Sequence, residues 1–395
     1  MIRVAQSLVV VMACAIGIWW SFQVARADYL FHLDTEESLR EAIAIVPDQP
    51  RYYARLAQHE TDHAERLLEK ALSISRYDSQ ATIDLALLKE ARGDYGSAEK
   101  LLLNAYAIDK TYLTRWTLAN FYIRRDNMPE FWHWAHKAAE MPAEDIQALF
   151  QLCWRAAPDT SLISEKVLTA DPQVTRQFIR FLLNRNELQA AASLATQLIA
   201  RGRAAPDAPV LYALIDRLLT AGHAQAALDV WGALRNSGWV PSDAGVPYNS
   251  SFSRPPEPVA FDWHIYPADG LQPRMGQNGL EVEFSGRQPE NCTIGEQVLA
   301  LGSGAHILTY RYRTSGIAPD TGLAWKIADA KSGAVLATSH DMSSAEYRED
   351  SVDFPTSDPL TLVRLRLEYH RALGTSRFTG TADVGNVKLK ASPIR

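Results

Sequence analysis

Apolar and small residues fall three and four apart through most of the first 238 residues, then alternate singly beyond residue 259. The change of period predicts helices followed by strands. In "ARGDYGSAEKLLLNAYAID", residues 91 to 109, a Gly-Asp turn precedes Ala98, Leu101, Leu102 and Ala105 on one helical face. That pattern recurs at an offset of 34 residues: Leu67, Leu68 and Ala71 return as Leu101, Leu102 and Ala105, Ala64 as Ala98, Leu85 as Ala119, and Ala105 as Ala139. A period of this length predicts stacked helix pairs. Small residues at Ala98 and Ala105 suit two antiparallel helices whose axes must come within about 8 to 10 Å. The first pair has a shortened turn, and the third has Asn127 at the place where glycine is usual.

These residues, with Leu85, Ala86 and Gly93-Asp94-Tyr95, resemble tetratricopeptide repeats. Weaker pairs follow in "DIQALFQLCWRAA" with "SLISEKVLTA", then clearer ones in which Asn186 and Gly222 mark the turns and Ala191-Ala192 returns as Ala226-Ala227. About six pairs fit between residues 28 and 238, and a single pair cannot bury its own apolar face, so a superhelix is predicted. The concave wall of such a stack is lined mainly by the first helix of each pair. In the repeat frame this assigns Ile83, Leu87, Glu90, Thr117, Phe121 and Arg124 to a groove for a protein partner. The cluster "FWHWAH" at 131 to 136 reads as helix packing; His133 and His136 have helical spacing for a metal but no third ligand nearby, so no metal is expected.

A stretch with five prolines, within residues 239 to 258, reads as a linker. Beyond it, Leu280, Val282 and Phe284 alternate with polar residues, as do Leu308, Tyr310 and Tyr312, then Leu323, Trp325 and Ile327, then Val363, Leu365, Leu367 and Tyr369. Such half-buried strands, with turns at Ser315-Gly316 and Ser332-Gly333, predict a two-sheet β-sandwich over 259 to 392. "NSSF", "FDWHI", "TYRYRT" and "GNVKLKAS" resemble the jelly-roll carbohydrate-binding modules of bacterial glycan-active proteins, over roughly residues 247 to 392. Fold class is thus multidomain, all-α plus all-β. Sugar sites use exposed aromatic faces and hydrogen-bonding neighbours. Trp263, beside His264, is the aromatic candidate, with Tyr347 also available, while Trp325 shares the core face of its strand. Arg311 with Arg313, and Arg364 with Arg366, would form a cationic patch for acidic glycans if they shared one sheet face.

Residues 1 to 27 stand apart. An uncharged stretch from Val4 to Ala25 follows Arg3 and, at about 22 residues, is long enough to cross a bilayer. Two readings stay open: Trp19 and Trp20 favour a retained inner-membrane anchor, while "ARA" at 25 to 27 offers a signal-peptidase site. Apolar residues continue after Cys14, which makes "VMAC" a poor lipoprotein signal. With 40 basic against 46 acidic side chains the net charge is -6, which argues against nucleic acid as a partner. Three cysteines, Cys14, Cys153 and Cys292, fall in different segments and predict no structural disulfide. No nucleophile elbow, phosphate loop or Cys-x-x-Cys pair occurs, and no cofactor is implied. Glu281 with Glu283, and Glu349 with Asp353, are carboxylates that spatial neighbours could pair, though outward strand positions explain the first two.

A membrane-inserted amino terminus, helical repeats and a terminal jelly roll together resemble tetratricopeptide proteins of bacterial exopolysaccharide clusters. That resemblance implies repeats that scaffold secretion or assembly machinery. The leading reading is a non-enzymatic envelope scaffold with its bulk in the periplasm, the repeat groove taking an envelope protein and the sandwich taking a polysaccharide, acidic if the arginine pairs meet, or a second protein. Rival readings are a carbohydrate-binding protein with the repeats as spacer, and a polysaccharide-modifying enzyme with an unrecognised site.

Overall fold

A computed structural model describes residues 2–141, 145–202, 208–241, 246–371 and 373–391, the side chains of 2–10 excepted. The chain forms two compact units, Met1–Val174 and Thr175–Arg395. In the first unit lie α1 (Ile2–Leu33), α2 (Glu36–Ile45), α3 (Pro50–His59), α4 (Ala64–Ile74), α5 (Ser79–Ala91), α6 (Tyr95–Ile108), α7 (Tyr112–Arg124), α8 (Met128–Ala139), α9 (Gln147–Ala156) and α10 (Thr160–Val167). Successive helices pack as pairs, α3 with α4, α5 with α6 and α7 with α8. Alanine makes the close approach possible: Ala71, Ala81, Ala86, Ala98, Ala105, Ala119 and Ala135 are all fully buried.

Local sequence sets the helix ends. Asp78 caps α5 by accepting from the Ala81 N–H at 2.9 Å, and Asp94 caps α6 by accepting from Ser97 at 3.1 Å. The α3–α4 connection is a 3-10 turn over Thr61–His63, whereas the next turns each place one residue in the left-handed region. Gly93 supplies it at φ +84, and in the next pair Asp126 does so at φ +55, one residue before Asn127, which instead caps α8. Aspartate tolerates this conformation, so a glycine is not required there. Asn186 and Gly222 adopt it at the later turns, at +63 and +77.

α1 is one continuous helix whose side chains from Val11 to Val24 are largely exposed, including Trp19 and Trp20. Among the described residues no helix is long and apolar enough to cross a membrane. The side chains of 4–10, part of the expected anchor, lie outside the described residues.

The second unit joins helices to strands. α11 (Pro172–Asn184) runs across the division, and α12 (Leu188–Ala200), α13 (Ala208–Thr220) and α14 (Ala224–Asn236) belong with the sandwich. Sequence places the boundary in 239 to 258, whereas the contacts place it after Val174. The proline-rich segment is anchored rather than free: Trp239, Val240, Tyr248 and Phe252 are buried, and the carbonyls of Val246 and Ser250 accept from Leu389 and Val387. Trp231 of α14 packs edge-on against Tyr248 at 5.3 Å and lies 5.8 Å from Phe261.

Among the described residues ten strands follow: β1 (His264–Ile265), β2 (Leu271–Gly276), β3 (Gly279–Ser285), β4 (Asn291–Leu301), β5 (Gly304–Ser315), β6 (Leu323–Asp329), β7 (Val335–Thr338), β8 (Arg348–Thr356), β9 (Thr361–His370) and β10 (Thr379–Ala391). They form two antiparallel five-stranded sheets, ordered β1-β4-β9-β6-β7 and β2-β3-β10-β5-β8. From β3 to β6 and from β8 to β10 each strand crosses to the other sheet, the wrapping of a jelly roll. Between the sheets lies an aromatic core in which Trp325 touches Trp263 at 5.8 Å and Tyr310 at 6.1 Å. Gly279 lets β3 approach β10, since a Cβ there would stand 2.2 Å from the Val384 carbonyl.

Candidate functional site

In the first unit, the six residues assigned to a groove divide. Ile83, Thr117 and Phe121 are buried at 4%, 4% and 2% exposure, which corrects their assignment to an open wall. The reason is that α5 and α7 are interior helices: α5 packs against α4, α6 and α7, and α7 also meets α8 and α9. Thr117 turns its hydroxyl to the Leu113 carbonyl at 2.8 Å. What reaches the surface is Leu87, 41% exposed, beside Glu90 and Arg124. Arg124 donates to both Glu90 oxygens, at 2.8 and 2.7 Å, a bidentate clasp across 34 residues that ties equivalent positions of successive first helices.

Elsewhere in this unit, Tyr122 donates to Glu99 at 2.7 Å. Burial pushes the Cys153 thiol up to about 12, which makes it inert at neutral pH. His136 lies 3.7 Å from Glu140. Among the described residues no group of three or more His, Cys, Asp or Glu is placed to hold a metal.

On the sandwich, two expectations require correction. Trp263 is 1% exposed and packed between the tilted rings of Phe252 and Trp325, so it offers no face to a sugar. A position at the start of β1 that reads as open is closed by the 246–252 segment, which sequence alone treats as linker. Nor do the arginines form one patch: Arg311 and Arg313 lie on β5, Arg364 and Arg366 on β9, in opposite sheets. Arg313 is held by Asp383 at 2.7 Å, and both β5 arginines stack over Tyr347, at 4.0 and 4.6 Å.

The β9 pair faces a different setting. Glu296 on β4 lies opposite Arg366 in register and accepts from its Nε at 2.9 Å. Glu296 also accepts from the Tyr266 hydroxyl at 3.1 Å. Arg366 lies 3.5 Å from Glu368, which in turn meets Lys326 at 3.3 Å. Arg364, two residues along, is paired in register with the apolar Val298. Its Nη1 comes no nearer than 4.0 Å to Glu296, and its buried Nε has no hydrogen-bond partner.

Beside this row of charges stands α13, whose Leu211, Leu214, Ile215 and Leu218 are buried. Asp216 interrupts that apolar run. Its Oδ1 accepts from the Ala260 N–H at 2.8 Å, which helps hold Ala260 in the left-handed region at φ +52. Burial pushes the Asp216 carboxyl above its usual range, while the Ala260 bond and His264 pull it back. Asp216, His264, Glu296 and Arg364 line one cleft of about 420 Å³ together with the apolar Val298 and Leu362. The cleft therefore presents both acceptors and a guanidinium donor, in a volume within the range of ligand pockets.

No family model matches the chain. No curated protein matches it either. Among solved structures it is similar to YrrB, described as a TPR protein with an unusual peptide-binding site, at 14% identity over 53% of this chain and 96% of that one, with a TM-score of 0.26. It is similar to PilF of Pseudomonas aeruginosa at 16% identity over 57% and 93%, with a TM-score of 0.28. A CBM4 structure is similar at 11% identity over 37% of this chain and 99% of that one, again at 0.28. Likeness at these scores carries no argument; the fold rests on the helix pairs and strand registers themselves.

Of the cleft residues, sequence reading reaches only Arg364. His264 is noted there merely as a neighbour of Trp263. Asp216 and Glu296 are missed, although a lone carboxylate in "VLYALIDRLL" is the kind of break in an apolar helix that marks a second partner.

Proposed function

We propose that this protein is a non-enzymatic scaffold of the bacterial cell envelope, serving polysaccharide assembly or secretion. A protein partner binds the helix pairs, and the sandwich unit binds polysaccharide. The observation that carries the reading is the Arg124–Glu90 clasp beside exposed Leu87, which fixes the relative position of two first helices and leaves an apolar contact with a charged border on their surface. Interfaces commonly combine a small apolar centre with a polar rim. The exposed Val11, Ile16, Ile18, Trp19, Trp20 and Phe22 of α1 support a tether to the inner membrane through residues 4–25, with the bulk of the chain in the periplasm.

The reading in which the helices are only a spacer is disfavoured by Asp216, a helical residue that lines the cleft of the sandwich unit. The test is affinity capture from envelope extracts by the full chain and by Leu87→Asp and Arg124→Glu variants. The proposal expects a defined envelope protein to be retained by the wild type and lost with either variant, and an acidic polysaccharide to retard the chain in a gel. Retention that ignores both substitutions, with no polysaccharide bound, would sink it.

A further inference from the structure

We propose that the cleft between α13 and the outer face of β4 and β9 binds a uronic acid residue of a polysaccharide, its carboxylate on Arg364 and its ring hydroxyls on Asp216 and Glu296. This rests on the proposed glycan handling by the sandwich unit, and it names the ligand class and the place.

The two arginines of β9 carry the argument. Arg366 is engaged by Glu296 and Glu368, at 2.9 and 3.5 Å. Arg364, over apolar Val298, keeps an unpartnered Nε and only a 4.0 Å approach to Glu296. A planar guanidinium with unused donors matches a carboxylate, which accepts two parallel N–H bonds from one fork. A buried donor left without an acceptor is costly, so an incoming carboxylate gains what the free protein lacks.

The acceptors fit the rest of a sugar. Asp216 is fixed through Oδ1 by Ala260. Its second oxygen is left for a hydroxyl donor, whose hydrogen bond favours the ionised carboxylate that burial disfavours. Glu296 has two oxygens, of which one takes Tyr266 and the other Arg366, and each oxygen accepts more than one bond. A neutral sugar would leave the Arg364 fork unmatched. An acidic peptide would bring a carboxylate for Arg364 but no ring of hydroxyl donors for Asp216 and Glu296. A uronic acid satisfies both sets at once.

The experiment is calorimetric titration of the full chain with trimers of galacturonate, glucuronate and mannuronate, alongside the neutral galactose and glucose trimers and triglutamate. At least one uronate trimer is expected to bind saturably, at least tenfold tighter than its neutral counterpart and than triglutamate. Arg364→Gln is expected to erase that preference, Arg364→Lys to restore part of it, and Asp216→Asn to weaken acidic and neutral trimers alike. Circular dichroism identifies folded variants, and if Gln is not tolerated the Lys variant carries the test, since it keeps charge but loses the fork.

Equal binding of acidic and neutral trimers, equal binding of triglutamate, or uronate binding unchanged in a folded Arg364 variant would each overturn the proposal. Polysaccharide retardation of the full chain that survives Arg364→Gln and Asp216→Asn would overturn this cleft while leaving glycan binding standing. Absence of retardation together with absence of trimer binding would remove both.

Discussion

The two outer faces of the sandwich carry similar side chains and put them to different use. On β5, Arg311 and Arg313 stack on Tyr347 and Arg313 closes onto Asp383, while Arg311 lines a separate cleft with Asn278 and Asn386 in which, among the described residues, no carboxylate takes part. On β9, Arg366 is engaged in the same way, but Arg364 is left facing a cleft because α13 stands over that sheet and brings Asp216 with it. What separates a salt-bridged surface from a binding site here is a neighbouring helix that narrows the space and adds an acceptor. Exposed ion pairs contribute little by themselves, about 0 to 1 kcal/mol in the usual case.

Four substitutions test this contrast. Both faces hang on one core, so Trp325→Ala should destabilise the second unit by about 3 to 5 kcal/mol, read from denaturant unfolding. A loss below about 1 kcal/mol would mean that the faces do not depend on that core. Next comes Arg364→Gln, which should lower affinity for a uronate trimer by about tenfold, or about 1.4 kcal/mol, with little change in unfolding.

The third is a pH effect at Asp216. Its carboxyl lies above the ordinary range in the fold because burial disfavours the charge. The stability it contributes is therefore present below the unfolded pKa and is lost as the pH rises through the folded value. Asp216→Asn should raise the thermal midpoint at pH 7 and leave it unchanged near pH 3; an equal effect at both would contradict the assignment. Smallest is Arg313→Gln on the opposite sheet, which should leave both uronate binding and the thermal midpoint close to wild type. A drop in uronate affinity there would erase the distinction between the faces.

Much of the fold was legible in the chain because periodicity reports burial directly. Alternation placed Leu280, Val282, Phe284, Tyr310, Trp325 and Leu367 in the core, and all are enclosed. The 34-residue offset located paired helices with buried Ala98 and Ala105. Periodicity does not say how many neighbours a helix has, which is why Ile83, Thr117 and Phe121, on the nominally open side of α5 and α7, turned out buried.

Nor does it report which strands share a sheet. Crossing between sheets separates β5 from β9, and no local pattern reveals that Arg311 and Arg364 look in opposite directions. Asp216 and Glu296 are 80 residues apart in the chain and meet at one cleft only because α13 packs with the strands. The segment from 239 to 258 misled for a related reason: proline marks the absence of helix, but Tyr248 and Phe252 are anchored by aromatic packing that composition does not display.

The most direct test of the account is a crystal structure of the full chain soaked with the uronate trimer that binds most tightly. The account predicts sugar density in the cleft beside α13, with a carboxylate within hydrogen-bond distance of Arg364 and a hydroxyl on Asp216. Density on the β5 face, or a bound sugar whose carboxylate points away from Arg364, would contradict it.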